Sequence, residues 1–214
     1  MPYVEAPSLA TLIQHRWLRW KASAIEDVVA RVGTALARFH DVTRNTQEVS
    51  RADAELPLSW ALQHAGRHAA SLRAAADSAQ PVQVYDDINP SHVLVQPNTI
   101  TLIDLPSGVK VAHPHRDLAW FTDKLFVTLV RSIPKVPASR QLANFTELRQ
   151  ALLVAYFEEA GVGLTEADDH LVAAFQAFYL ARRERRRQDL SIASRFRGWP
   201  LRLQAQRLRS TLSR

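Results

Sequence analysis

Val84-Tyr85-Asp86-Asp87-Ile88-Asn89-Pro90-Ser91-His92-Val93-Leu94-Val95, with Thr101-Leu102-Ile103-Asp104-Leu105 shortly after it, is the stretch whose reading decides this chain. Short runs of Val, Ile and Leu suit strands, and Gln96-Pro97-Asn98 between two such runs is a turn signal. The pattern predicts a small β-hairpin of 93–95 with 99–104, preceded by a short strand at 82–85 and ended by Pro106-Ser107-Gly108. Two carboxylates, Asp87 and Asp104, then fall at the ends of apolar strands joined by a tight turn. Phosphoryl transfer uses such a pair, one acid for the attacking hydroxyl and one for a metal ion.

On both sides the chain reads as helix. Leu9, Leu12, Ile13 and Trp17 recur at helical spacing after Pro7-Ser8. Ser23 with Glu26 forms a capping box. The helix it opens sets Ile25, Val28, Val29, Val32, Leu36 and Phe39 on one stripe and is expected to end near His40. Residues 41–56 are polar and read as a loop, and a third helix is expected over 58–76. After Pro114, helices are expected over 118–131 and over 146–161, with Gly161 as the C-terminal cap. Two more start at Thr165, with Asp168 as its box partner, and at Trp199-Pro200. The expected class is α+β, mainly helical.

The 214 residues suit one domain with a terminal extension. Hydrophobic residues make up 47%, enough for a core, and the absence of Cys excludes disulfides and thiolate metal sites. No apolar run reaches the ~18–20 residues that span a bilayer. Met1-Pro2-Tyr3-Val4-Glu5 lacks a basic region before an apolar run, so the expected compartment is the cytoplasm. The net charge of +6 is unevenly spread. Residues 182–214 hold 11 Arg against Glu184 and Asp189, which leaves residues 1–181 acidic. A basic tail of that kind suits an anionic partner.

The series Asp87, a five-residue step to His92, strand, turn, strand, Asp104, then Arg116-Asp117-Leu118-Ala119 resembles the C-terminal lobe of the protein-kinase-like superfamily, in its aminoglycoside phosphotransferase and choline-kinase branch. Members of that branch carry His-Gly-Asp-x-x-Pro-x-Asn before an apolar strand, then Ile-Asp-Phe or Ile-Asp-Leu, then an Asp-Leu-Ala helix start. Tyr3-Val4-Glu5 followed by Ser8-Leu9 resembles the hinge (1–8), and Leu36-Ala37-Arg38-Phe39-His40 the family's Leu-x-x-Leu-His helix. The resemblance covers 1–181 as a kinase-like C-lobe, with 182–214 an Arg-rich helical extension. It implies an ATP-dependent phosphotransferase acting on a small-molecule hydroxyl with Mg²⁺. Asp87 takes the catalytic position, Asp104 the metal position, and Asp117 the structural position that ties down the catalytic loop. His92 stands at the second metal-ligand position, where most members have Asn. Tyr85 and Asp86 stand where members carry His and Gly. The spacing Asp87 to His92 and the segment Ile103-Asp104-Leu105 are also similar to the lipopolysaccharide sugar-kinase branch, which implies a sugar acceptor at a membrane face.

Phosphoryl transfer also needs a clamp on the phosphates, a glycine-rich turn and a Lys. Only Gly33 and Gly66, and a single Lys, Lys21, precede Asp87. Three expectations stay open: a reading frame that starts further upstream, a second chain that supplies the clamp, or a pseudokinase-type scaffold that binds an anionic partner through its basic tail. His113-Pro114-His115 is expected to be a pair of solvated loop histidines rather than a metal site, and Trp17 and Trp20 to pack rather than stack on bases. Segment 182–187 reads as an outward helical face or helix end. Alternatively, the tail lies on anionic lipid as an amphipathic helix with Leu201, Leu208 and Leu212. Nucleic acid is the third partner class and lacks a recognition motif here.

Overall fold

Ser8 starts the first helix: its hydroxyl accepts from Thr11 N at 3.1 Å, and α1 (Leu9–Arg16) buries Leu9, Leu12 and Ile13 as their spacing requires. The computed structural model describes residues 6–16, 22–46, 51–105, 110–132 and 138–188. Trp17, Trp20, the first five residues and the tail beyond 188 lie outside the described residues.

The stripe read from 25–39 forms one face of α2 (Ala22–Thr46), with Ile25, Val28, Val29, Val32 and Leu36 all buried. The helix does not end near His40. His40 is itself buried, Thr43 Oγ1 donates to its carbonyl, and Arg44 pairs with Asp41 one turn back, so the helix continues through 41–46. The expected loop is shorter at its other end too, because α3 runs from Arg51 to Leu62 with Pro57 inside it. The single helix expected over 58–76 is two. A break at 63–68, with Gly66 in the left-handed region (φ +56°), separates α3 from α4 (Ala69–Ser78). Arg73 on α4 grips Glu55 on α3 through two bonds of 2.6 and 2.8 Å.

The hairpin forms where expected. β2 (Val93–Val95) pairs antiparallel with β3 (Ile100–Leu102), Val93 opposite Leu102 and Val95 opposite Ile100. Arg31 of α2 reaches across to donate to the carbonyls of Gln96 and Pro97 in its turn, both at 3.2 Å. On its outer edge Ser8 bridges to Leu94, and Val95 N donates to Pro7 O at 2.9 Å. A second ribbon was not legible: β1 (Val82–Gln83) pairs with β4 (Val111–Ala112), two residues contributed by a segment too short to show a period.

α5 (His115–Ser132) begins three residues before its expected start, because the Pro114 carbonyl already accepts from Asp117 N and Leu118 N. α6 (Ala138–Glu159) begins eight residues early, through a run of Arg, Gln, Leu and Ala with good helix propensity. It closes at Gly161 (φ +75°), where Val162 N reaches back to Phe157 O. α7 (Glu166–Gln188) opens on the expected box, with Thr165 N donating to Asp168 and Asp168 N to Thr165 Oγ1. It runs unbroken past position 182. The helices form one core: α2 lies along α6, α7 packs on α3, α4 and α5, and α1 joins α5 to the hairpin.

Candidate functional site

Asp117, completely buried in the first turn of α5, organises the loop that carries Asp87. One of its oxygens accepts from Asp86 N at 2.9 Å and the other from Tyr85 N. The second also pairs with His40 Nε2 at 3.1 Å, and His40 Nδ1 meets the Tyr156 hydroxyl at 2.8 Å. A chain of polar groups therefore runs from α6 through α2 and α5 into the loop. Each is buried, and each has a partner, which is what makes a buried network stable.

Asp86 holds a left-handed backbone (φ +67°) just before Asp87. Its carboxylate pairs with both Arg116 and Lys110. These contacts and the turn Asp87 N to Tyr85 O at 2.9 Å leave the Asp87 side chain exposed, where Trp120 Nε1 donates to it at 3.2 Å.

Tyr85 ties this loop to the next. Its hydroxyl donates to the Ile103 carbonyl, one residue before Asp104. Burial pushes the Tyr85 pKa up to about 12, and the charges of Asp104, Asp117 and Asp87 push the same way, so it stays a donor at neutral pH. Asp104 also has a left-handed backbone (φ +64°), which turns its carboxylate outward to 74% exposure. His92 Nε2 lies 3.5 Å from it. The structure thus brings Asp104 and His92 together, ties Asp117 to the loop before Asp87, and sets Asp87 and Asp104 around one tyrosine.

The donor set suits Mg²⁺ at Asp104. Mg²⁺ keeps several waters and is bound by one or two carboxylates plus substrate phosphates, and this carboxylate is open to solvent. Among the described residues no cluster of three His, Cys, Asp or Glu could enclose a metal unaided. His92 fits less well. Imidazole nitrogen is a poor Mg²⁺ ligand, and Asn89 Nδ2 already lies 3.2 and 3.0 Å from its two ring nitrogens.

Several of these residues escaped the sequence reading. The partners of Asp86, the Trp120 contact and the Tyr85 hydroxyl bond join positions 18 to 33 residues apart. The only available signal was the change of Gly and His to Asp86 and Tyr85. The expected solvated histidines are a correction: His113 and His115 are buried, and His115 Nε2 binds Asp168 at 2.9 Å. Pro114, buried between them, immediately precedes α5, and its carbonyl accepts from Asp117 N and Leu118 N.

No protein-family model and no curated protein sequence matches the chain. Solved structures do. A glucosamine kinase in complex with glucosamine, ADP and inorganic phosphate superposes with a TM-score of 0.63 at 15% identity over 97% of this chain. A choline/ethanolamine kinase family protein from Mesorhizobium loti gives 0.53 at 15% identity, over 100% of this chain and 70% of its own. The fold is that of part of an aminoglycoside phosphotransferase/choline kinase-like kinase. The chain spans 57–60% of the length of the glucosamine kinase chains it matches. Within this kinase-like fold the helices and the two small ribbons correspond to a portion of the larger enzymes. No described helix is long and apolar enough to cross a membrane.

Proposed function

We propose that the chain is the C-lobe of a phosphotransferase that moves the γ-phosphoryl group of ATP to a hydroxyl of a small molecule or sugar. The observation that supports this most is Asp117. A buried carboxylate is spent on holding two consecutive backbone N–H groups, and the carboxylate of the residue after them, Asp87, is left exposed. The pinned loop presents that acid to solvent with Trp120 Nε1 as its hydrogen-bond donor. In this reading Asp87 orients the acceptor hydroxyl and takes its proton. Asp104 holds Mg²⁺, which when bound neutralises charge on the phosphates. His92 is a contact to the phosphates or a second, weaker ligand. Tyr85 and Asp117 position both loops.

The reading requires a clamp on the phosphates. Up to the two-residue strand β1, the described residues form helices and hold no glycine-rich turn, so activity belongs to this chain together with whatever supplies the clamp. That same observation favours a second reading, a pseudokinase-type scaffold, with the Arg-rich tail on an anionic surface. Calorimetric titration with Mg·ATP separates the two. Binding that is lost in Asp104→Ala supports the phosphotransferase, and no heat at millimolar nucleotide leaves the scaffold. Where turnover is measured, Asp87→Asn should lower it by about 10²–10⁴ with the fold intact.

A further inference from the structure

Beside Asp87 lies a recess between α3, α5 and α7, walled by Trp60, Trp120, Phe178 and Tyr179 and closed by Asp86, Arg116 and Arg182. The Trp120 bond to Asp87 makes the recess continuous with the exposed carboxylate. Its aromatic walls are braced: Trp60 stacks on Phe178 at 5.5 Å, and Trp120 meets Tyr179 edge-on at 4.7 Å. Rigid aromatic faces of this kind present a flat apolar surface with little ordering cost when a ring settles on them.

The charge of the recess sets what it takes. It is lined by one carboxylate, Asp86, and two guanidinium groups, Arg116 and Arg182, while Asp87, Lys110 and Lys124 stand around it on Trp120 and Asp86. Asp86 is already neutralised by Arg116 and Lys110, and Arg116 Nε also donates to the Tyr179 hydroxyl at 3.3 Å. Lys124 Nζ stands 4.5 Å above the Trp120 ring, occupying the place where a ligand ammonium would gain most. Arg182 is exposed at the rim and pairs with no acid among the described residues, whereas Arg183 beside it is committed to the buried Asp123. A cationic ligand would meet a surplus of like charge here, and an anionic one would find the exposed Arg182 guanidinium.

We propose that this recess is the acceptor subsite and that its ligand is a sugar ring bearing a carboxylate or phosphate, with the ring on the aromatic walls and the anion on Arg182. This rests on the phosphotransferase reading for the word acceptor, but the ligand class follows from the recess itself. The test is equilibrium binding to the whole 214-residue chain without nucleotide, at low salt, followed by tryptophan fluorescence and calorimetry. The probes are a hexuronate, a hexose phosphate, glucose, glucosamine, choline and inorganic phosphate. The two acidic sugars should bind about tenfold tighter than glucosamine, and Arg182→Gln should erase that margin, as loss of one charge-assisted bond would. Glucosamine or choline binding more tightly overturns the proposal. So does inorganic phosphate matching the hexose phosphate, an unchanged preference in Arg182→Gln, or no sugar binding at all. Because no ATP is present in this test, the expected preference in a chain that gives no heat with millimolar Mg·ATP removes the phosphotransferase reading alone. Turnover with the preference reversed removes this proposal alone.

Discussion

Asp86 and Asp104 both hold left-handed backbones, at φ +67° and +64°, on either side of Tyr85's hydroxyl bond. L-residues other than Gly adopt that region at a cost of about 1–2 kcal/mol, and Asp tolerates it better than most. At 86 the strain is offset by ion pairs to Arg116 and Lys110. The two contributions can be separated. Asp86→Gly and Asp86→Ala both lose the ion pairs, but only Gly relieves the backbone. Asp86→Ala should therefore be the less stable of the two by about 1 kcal/mol in urea denaturation. Equal stabilities would mean that φ at this position is not held by the fold. The bend serves the site: it directs successive N–H groups at Asp117 and the next side chain toward solvent.

At the scale of elements, α2 and α6 approach at Gly33. A Cβ built there would stand 2.3 Å from the Leu152 carbonyl oxygen, a backbone atom that cannot swing away. The small residue is what lets the two longest-packed helices touch, and the same pair of helices brings His40 and Tyr156 together below the loop. Gly33→Ala, ordinarily stabilising inside a helix, should here cost about 1–3 kcal/mol as overpacking does. A thermal melt reads this directly, and a neutral or raised midpoint would contradict the close contact. Any widening of the α2–α6 seam should also loosen Asp117, since His40 spans from one to the other.

Over the whole molecule, acid is the condition that separates buried networks from surface pairs. Burial alone would raise the Asp168 pKa, but hydrogen bonds from His115 and Thr165 outweigh it and hold the carboxyl below its ordinary value. A depressed carboxyl contributes stability above its unfolded pKa, ~3.9, and that contribution is lost as pH falls through the lower folded value. The wild type should thus lose stability as pH falls below about 4. Asp168→Asn should start less stable at neutral pH and fall less over the same window. Denaturation midpoints at neutral and acid pH check this, and parallel curves would show that the His115–Asp168 link between α5 and α7 contributes nothing.

The sequence alone determined the hairpin, the helical stripes, the Thr165–Asp168 cap and the order of Asp87, His92, Asp104 and Asp117. Each of those is written in local spacing: period two, period 3.6, a turn residue or a box three apart. Their resemblance to a kinase-like fold was legible for the same reason, because the motif lies within one stretch of 38 residues, 84–121. Only the tertiary structure decided that 41–46 is helical, that His113 and His115 are buried, that β1 pairs with β4, and that Asp86 is already claimed by two cations. These outcomes depend on partners far along the chain: His40 on Tyr156 and Asp117, His115 on Asp168, Trp120 on Asp87. Burial and charge balance are properties of what packs next to a residue, and no local period encodes a neighbour that arrives from another helix.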